Sequence, residues 1–329
     1  MGKIWGSREF FIDVLTEIAG YKAGIVLTEE ELYEIMRDEG DVGIILDPNG
    51  PGGGRIHSSS LEEAVVTLLY RLGNTPSDSN ISITIEMFHK YRKNTQQKAI
   101  YDDLMETFTR FLKLAHTQAD GGLIDPTPVM LELFERHGND GATMAMEFIV
   151  GYQRDLHRSA WGSIRSIDWR DTVELNGLFQ NAGLETQHSK FFDQRYIDYL
   201  SQNFDKIDQM HWRKFEGLTA EFFEREGFRV HLGPGSNDGG VDLRIYPVDA
   251  SSERPPMILV QCKRQKAKID KTLVKAVYAD VLDENAETGL IVTTSTLSPG
   301  AEAVRTARNY PVEAADRRTL RTWLDKLRS

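Results

Sequence analysis

From His211 onward, short apolar segments alternate with segments of helical period, and this alternation constrains the fold more than any other feature of the chain. The strand-like segments read FRVHL, GVDLRIYPV, MILVQC, TGLIVTTS and PVEAA. The helical segments begin at His211, at about Lys271, at SPGAEAVRTARN and at RRTLRTWLDKLR. A polar stretch from Asp249 to Pro256 reads as the connection between the second and third strands. Helices between and around such strands predict an α/β/α sandwich with a mixed sheet.

The first 200 residues read mostly as amphipathic helices. One begins at a capping box, Thr28 with Glu31, and is expected to stop at Gly40. We therefore expect a mostly α-helical N-terminal domain over residues 1–200 and an α/β domain over residues 205–329. The boundary falls in polar, helical sequence without an obvious linker.

A run of Gly and Pro between the early helices, DPNGPGGGRIHSSS from Asp47 to Ser60, superficially resembles a phosphate-binding loop. It has no lysine followed by Ser or Thr at the offset that such a loop requires. Because Gly and Pro punctuate turns and loops, we predict a flexible surface loop here.

The formal net charge of −11 is unevenly distributed along the 329 residues. Residues 210–329 carry 19 basic against 17 acidic side chains, a balance of +2, whereas residues 1–209 carry the remaining −13. The basic side chains cluster locally in the second part, at Lys263, Arg264, Lys266, Lys268, Lys271 and Lys275. Affinity for nucleic acid comes from such basic strips, so the acidity of the whole chain does not exclude DNA as a partner.

Cys262 is the only cysteine in the chain, which excludes an intramolecular disulfide and a zinc site built from several cysteines. Apolar runs stay well below the ~18 residues of a membrane span. The start, MGKIWGSREFF, lacks the apolar centre of a signal peptide. We therefore expect a cytoplasmic protein that has no membrane partner.

Polar residues stand at the ends of two neighbouring predicted strands. Asp242 follows the glycine-rich turn before the second strand, while Gln261 and Lys263 end the third. Residues two apart on a strand share a face, so Gln261 and Lys263 point the same way. If the two strands pair, Asp242 meets both at one end of the sheet. Carboxylate and amide oxygens suit Mg²⁺, and a lysine beside them suits a metal-bound phosphate.

Four blocks, FEGLTAEFFEREGF, GSNDGGVDL, VQCKRQ and IVTTSTLSPGA, resemble in order and spacing the catalytic domain of the Mrr family of restriction endonucleases. That family lies within the PD-(D/E)xK nuclease superfamily, and the resemblance covers residues 211–329. It implies a restriction-endonuclease-like fold and a Mg²⁺-dependent endonuclease of double-stranded DNA, active in defence against foreign DNA. Mn²⁺ is expected to substitute for Mg²⁺.

Carried over by position, the resemblance makes Asp242, Gln261, Lys263 and Glu216 the catalytic residues. Asp242, Gln261 and Glu216 are the implied metal ligands. Val241 stands where the superfamily often has proline, and Gln261 stands where it usually has an acidic residue. A neutral amide oxygen is a weaker metal ligand than a carboxylate, and Glu216 is expected to supply the missing negative charge.

Several further residues near the predicted site have a structural and a functional interpretation. Contacts to the DNA backbone are predicted for Arg264, Gln265, Lys266 and Lys268. Asp238 is either a further metal ligand or a turn residue. Structural roles are predicted for His211, His231, Trp161, Trp169 and Trp212, with Trp212 expected in the core.

Two alternatives to a DNA endonuclease stay open. One is a DNA-binding or scaffold subunit whose nuclease fold has lost turnover, and the other is a structure-selective nuclease acting on junctions or RNA. The N-terminal domain is expected to recognise a target, regulate the nuclease or bind a partner protein. A homodimer is expected because a double-strand cut requires two active sites or two visits.

Overall fold

The computed structural model describes residues 2–118, 125–162, 171–184, 186, 189–235, 240–251 and 254–328. Its first half contains β1 (Lys3–Ser7), α1 (Arg8–Ile18), β2 (Ile25–Val26), α2 (Glu29–Met36), α3 (Gly40–Leu46), β3 (Gly53–His57), α4 (Ser58–Arg71), α5 (Ile83–Tyr91), α6 (Thr95–Gln118) and α7 (Thr127–Arg158). Its second half contains β4 (Val173–Glu174), α8 (Gly177–Gln180), α9 (Gln194–Gln202), α10 (Trp212–Arg225), β5 (Phe228–Leu232), β6 (Leu243–Pro247), β7 (Ile258–Lys263), α11 (Lys271–Asp283), β8 (Thr288–Thr293), α12 (Pro299–Ala307), β9 (Val312–Ala315) and α13 (Arg317–Arg328). No helix within the described ranges combines the length and the apolar character needed to cross a lipid bilayer.

The chain forms two compact units that do not divide it at a single point. The first unit comprises Met1–Trp5, Arg55–Thr67 and Ser77–Ser166. The second unit comprises Gly6–Gly54, Leu68–Pro76 and Ile167–Ser329. The predicted division into an α-helical domain over residues 1–200 and an α/β domain over residues 205–329 stays a prediction.

The first unit is built around a helical core from α5, α6 and α7. Aromatic rings fill its centre, where Phe108 lies edge-on to Phe148 and to Tyr152, with centroid distances of 4.7 and 4.8 Å. Helix α7 is interrupted at Gly138, whose φ of 62° is non-helical. The expected helical character of the N-terminal part is confirmed.

Two expectations for the early part of the chain need correction. The capping box of Thr28 and Glu31 is present, but α2 ends at Met36, and Gly40 instead begins α3 with a φ of 46°. The glycine run predicted as a loop contains β3. A Cβ atom on Gly53 would lie 2.7 Å from the carbonyl oxygen of Gly6, so glycine here permits a close backbone approach.

The second unit contains a five-stranded mixed sheet in the order β5-β6-β7-β8-β9. Strands β5, β6 and β7 pair antiparallel, and β7, β8 and β9 pair parallel, with α11 and α12 as the crossover helices. Helix α10 packs on one face, where the thiol of Cys262 reaches Thr219 at 3.6 Å. Helix α11 packs on the other face, where Leu259 lies in a cluster with Val281. This layering confirms the predicted α/β/α sandwich.

Helix α10 also anchors the chain that precedes α9. One carboxylate oxygen of Glu221, on the buried side of α10, accepts the backbone N–H groups of Lys190, Phe191 and Phe192 at 3.1, 2.8 and 3.3 Å. The guanidinium of Arg225 donates to the carbonyl of Leu327 at 2.9 Å, at the end of α13. Residues 190–192, which precede the predicted boundary at residue 205, therefore belong to the same unit as the sheet.

Candidate active site

Asp242 lies directly before β6 and is fixed by hydrogen bonds to β7. Its backbone N–H donates to the carbonyl of Val260 at 2.9 Å, and its Oδ2 accepts the backbone N–H of Cys262 at 2.6 Å. The side chain is 9% exposed. Because the register pairs Leu243 with Val260, Asp242 stands beside the end of β7, as the pairing argument predicted.

Gln261 and Lys263 differ in their surroundings although they share a face of β7. Gln261 is buried, and its Oε1 has no hydrogen-bond partner among the described residues. Its Nε2 lies 3.2 Å from where a Cβ on Gly240 would stand. Lys263 ends the strand, partly exposed, and its carbonyl accepts the hydroxyl of Thr293 at 2.8 Å. The buried hydroxyl of Thr293 therefore fixes the backbone that presents the lysine.

Glu216 comes from the buried side of α10 and is held by an ion pair. The Nη1 atom of Arg213 donates to its Oε2 at 2.7 Å, and Nη2 of the same arginine donates to the carbonyl of Gly233 at 2.7 Å. Arg213 was not predicted from the sequence to be a residue of the site. The available signal was its position three residues before Glu216, since residues at this spacing are neighbours on a helix surface.

Glu216, Asp242 and Lys263 line one surface depression. Its described lining consists of Trp212, Glu216, Gly235, Asp242, Cys262, Lys263, Arg264 and Gln265. Burial raises the pKa of the Cys262 thiol well above its ordinary value, and the negative charge of Asp242 raises that pKa further. Of the predicted catalytic residues, Gln261 is absent from this described lining.

The predicted DNA contacts fall into two groups. Arg264 donates through Nη1 to the carbonyl of Asp208 at 2.7 Å, and Gln265 donates through Nε2 to the carbonyl of Ala267 at 2.9 Å. Lys266 and Lys268 are exposed on the segment after β7. The structure thus presents the two lysines to solvent, whereas Arg264 and Gln265 have partners within the chain.

One prediction about the aromatic and histidine residues near the depression was wrong. Trp212 is 43% exposed and lines the depression, so its predicted core position was wrong. The first residue of a helix can stay exposed while the residues three and more positions later are buried. His211 caps α10, with Nδ1 accepting the backbone N–H of Arg213 at 3.1 Å, which agrees with a structural role.

Four further residues were singled out in the sequence: His231, Trp161, Asp238 and Trp169. His231 lies on β5, edge-on to Tyr246 at 6.1 Å between ring centroids. Trp161 is exposed, and its Nε1 donates to Glu62 at 2.7 Å, so it is not a core residue of the first unit. Asp238 and Trp169 lie outside the described residues.

Comparison with known proteins places the site within a recognised domain. Residues 207–324 match the model of the Mrr catalytic family, described as a restriction endonuclease, which confirms the resemblance for this segment. An uncharacterized protein, y4cE of Sinorhizobium fredii (strain NBRC 101917 / NGR234), is 26% identical over 125 residues. The aligned region spans 38% of this chain and 32% of that relative. The MspJI restriction endonuclease, solved in complex with a 27-mer oligonucleotide, is similar at 26% identity and a TM-score of 0.27 over 39% of this chain and 30% of that one.

Proposed function

We propose that this chain is a Mg²⁺-dependent endonuclease that hydrolyses phosphodiester bonds of double-stranded DNA and restricts foreign DNA in the cytoplasm. The observation that carries the proposal is that Glu216, Asp242 and Lys263 line one depression inside the segment that matches the restriction endonuclease family. Two carboxylates and a lysine at one place supply what phosphodiester hydrolysis requires of a protein.

The residues at the site fit a hard divalent cation. Asp242 and Glu216 would hold Mg²⁺ through carboxylate oxygens, and the buried Oε1 of Gln261, which has no described hydrogen-bond partner, is a suitable third oxygen. A bound Mg²⁺ would neutralise phosphate charge and lower the pKa of a water molecule. Mn²⁺ would serve in its place.

Lys263 is proposed to meet the charge that develops on the phosphate during attack. Its backbone is fixed by Thr293, so the ammonium is presented from a rigid strand end. Lys266 and Lys268, exposed just beyond, are proposed to contact the DNA backbone. Such contacts position the duplex without reading its sequence. A DNA contact by Arg264 or Gln265 would require each side chain to exchange or share its present partner.

We further propose that residues 205–329 carry the chemistry and that residues 1–200 recognise a target, regulate cleavage or bind a partner. Two copies of the depression are needed to cut both strands in one encounter, so a homodimer is the proposed active form. The acidic balance of residues 1–209, −13, opposes non-specific attraction to DNA in that part of the chain.

Cleavage of plasmid and linear DNA by the full chain, with Mg²⁺ or with a chelator, tests the proposal. The parent protein should nick and linearise DNA only with the metal, and Asp242→Ala should abolish this. Asp249→Ala is the matched control, since Asp249 is an exposed aspartate at the far end of β6. DNA binding without cleavage would favour the inactive scaffold, and cleavage of only junctions or RNA would favour the structure-selective nuclease.

A further inference from the structure

Arg213 connects three parts of the candidate active site. Its guanidinium bonds Glu216 on α10 and the carbonyl of Gly233 at the end of β5, each at 2.7 Å. The N–H of Gly233 in turn donates to the carbonyl of Asp242 at 2.8 Å. The side chains of Arg213 and Glu216 are only 16% and 6% exposed. The guanidinium is therefore a fixed charge within the site rather than a mobile surface group.

The local geometry fits the guanidinium closely. Gly235 has a φ of 82°, and a Cβ atom there would lie 3.0 Å from Nη1 of Arg213 and 3.1 Å from the ring of Trp212. Glycine at this position therefore leaves room for the arginine beside the depression. Because both hydrogen bonds come from the same guanidinium, one rotation of the Arg213 side chain would break both contacts.

We infer that Arg213 competes with the divalent metal for the carboxylate of Glu216 and so sets the metal concentration at which the site loads. This inference rests on the proposed function. A cation bound to Glu216 would meet a guanidinium that already bonds the same carboxylate. A guanidinium would repel a divalent cation held by the same carboxylate even at the dielectric constant of water, by enough to weaken binding about tenfold. Arg213 thus acts through Glu216, as a positioning residue, and holds the resting site at low metal affinity.

Binding of Mn²⁺ to the full-length protein without DNA, measured by calorimetry and by the electron spin resonance of free Mn²⁺, tests the inference. Arg213→Gln should tighten Mn²⁺ binding about tenfold, because it removes the charge and keeps a donor for Gly233. Arg213→Met should do the same while keeping the aliphatic volume. Arg213→Lys should stay close to the parent, since it keeps the charge. If Arg213 had only a structural role, neither Arg213→Gln nor Arg213→Met would bind Mn²⁺ more tightly than the parent.

Arg225→Gln is the matched control, because Arg225 lies on the same helix and pairs at 2.8 Å with Glu221 instead. Its Mn²⁺ affinity should equal that of the parent. Unchanged or weaker binding in folded Arg213→Gln would overturn the inference, and so would failure of both neutral variants to fold. If Asp242→Ala bound Mn²⁺ as tightly as the parent does, the proposed metal site itself would be wrong. The two failures are therefore distinguishable.

Discussion

The carboxylate of Glu221 should be the most sensitive single group for the stability of the second unit. It is 2% exposed, accepts three consecutive backbone N–H groups from residues 190–192, and accepts Nε of Arg225 at 2.8 Å. Glu221→Gln keeps the shape of the side chain and removes its charge. The three amides would then donate to a neutral acceptor, and Arg225 would lose its ionic partner.

The expected cost follows from the number of bonds. A hydrogen bond to a charged group contributes about 1.5–3 kcal/mol, against about 0.5–1.5 kcal/mol for a neutral one. The difference, roughly 1 kcal/mol for each of three amides, predicts a loss of about 3 kcal/mol in the free energy of unfolding. A loss of this size corresponds to a fall in Tm of roughly 6–12 °C for a unit of this size.

Urea denaturation and hydrogen exchange measure this effect directly. The amides of residues 190–192 should exchange faster in Glu221→Gln, while those of the central strands change less. Glu224→Gln is the control, because Glu224 makes a partly exposed pair with Lys190 at 2.7 Å and accepts no backbone N–H of residues 190–192, and solvent-screened pairs contribute at most about 1 kcal/mol. If the two variants were equally stable, the anchoring role of Glu221 would be refuted.

Three further predictions concern single side chains of the second unit. Lys263→Ala should still bind Mn²⁺ but cut DNA roughly 100- to 1,000-fold more slowly, measured on a supercoiled plasmid; cleavage at the parent rate would exclude the lysine from catalysis. Burial, with the charges of Arg264 and Lys214, lowers the pKa of His211 from 6.5. The cap that its neutral ring provides to α10 should therefore stabilise the protein fully above pH 6.5, and this stability should be lost as the pH falls through the lowered pKa. Thermal melts should show that His211→Asn, which caps the helix without titrating, loses less stability in acid. Gly73→Ala should destabilise the protein far more than Gly227→Ala, since both have positive φ but only the first would collide with the backbone of α9, and equal melting temperatures would contradict this packing.

Local signals account for most of what the sequence predicted about the fold. The strands FRVHL and PVEAA coincide with β5 and β9, because alternation and flanking turn residues mark short strands. The side chain of Ser298 caps α12, and Gly227 follows α10 with a positive φ, as helix start and stop signals require. Strand β1 and helix α5 were not predicted, and the glycine run that contains β3 read as a loop, since close backbone approach has no local signature.

The part of the candidate site that depends on strand pairing and on side-chain alternation was predictable from the sequence. Asp242 stands beside the end of β7 because β6 and β7 pair antiparallel, and that pairing followed from their sequence order. The ion pair of Arg213, the exposure of Trp212 and the integration of residues 190–192 depend on contacts between elements distant in sequence. Such contacts are set by packing, and no periodicity within a single segment reveals them.

The position of Cys262 has a practical consequence for labelling. A thiol reacts with maleimides as its thiolate, and the raised pKa of this thiol leaves little thiolate at neutral pH. Since the chain contains no other cysteine, the native protein offers reagents one slowly reacting thiol. A cysteine introduced at the exposed position of Lys268 would then take up a fluorophore or spin label selectively. Its signal would report the approach of a duplex to the strand ends in real time, with the native thiol left in place.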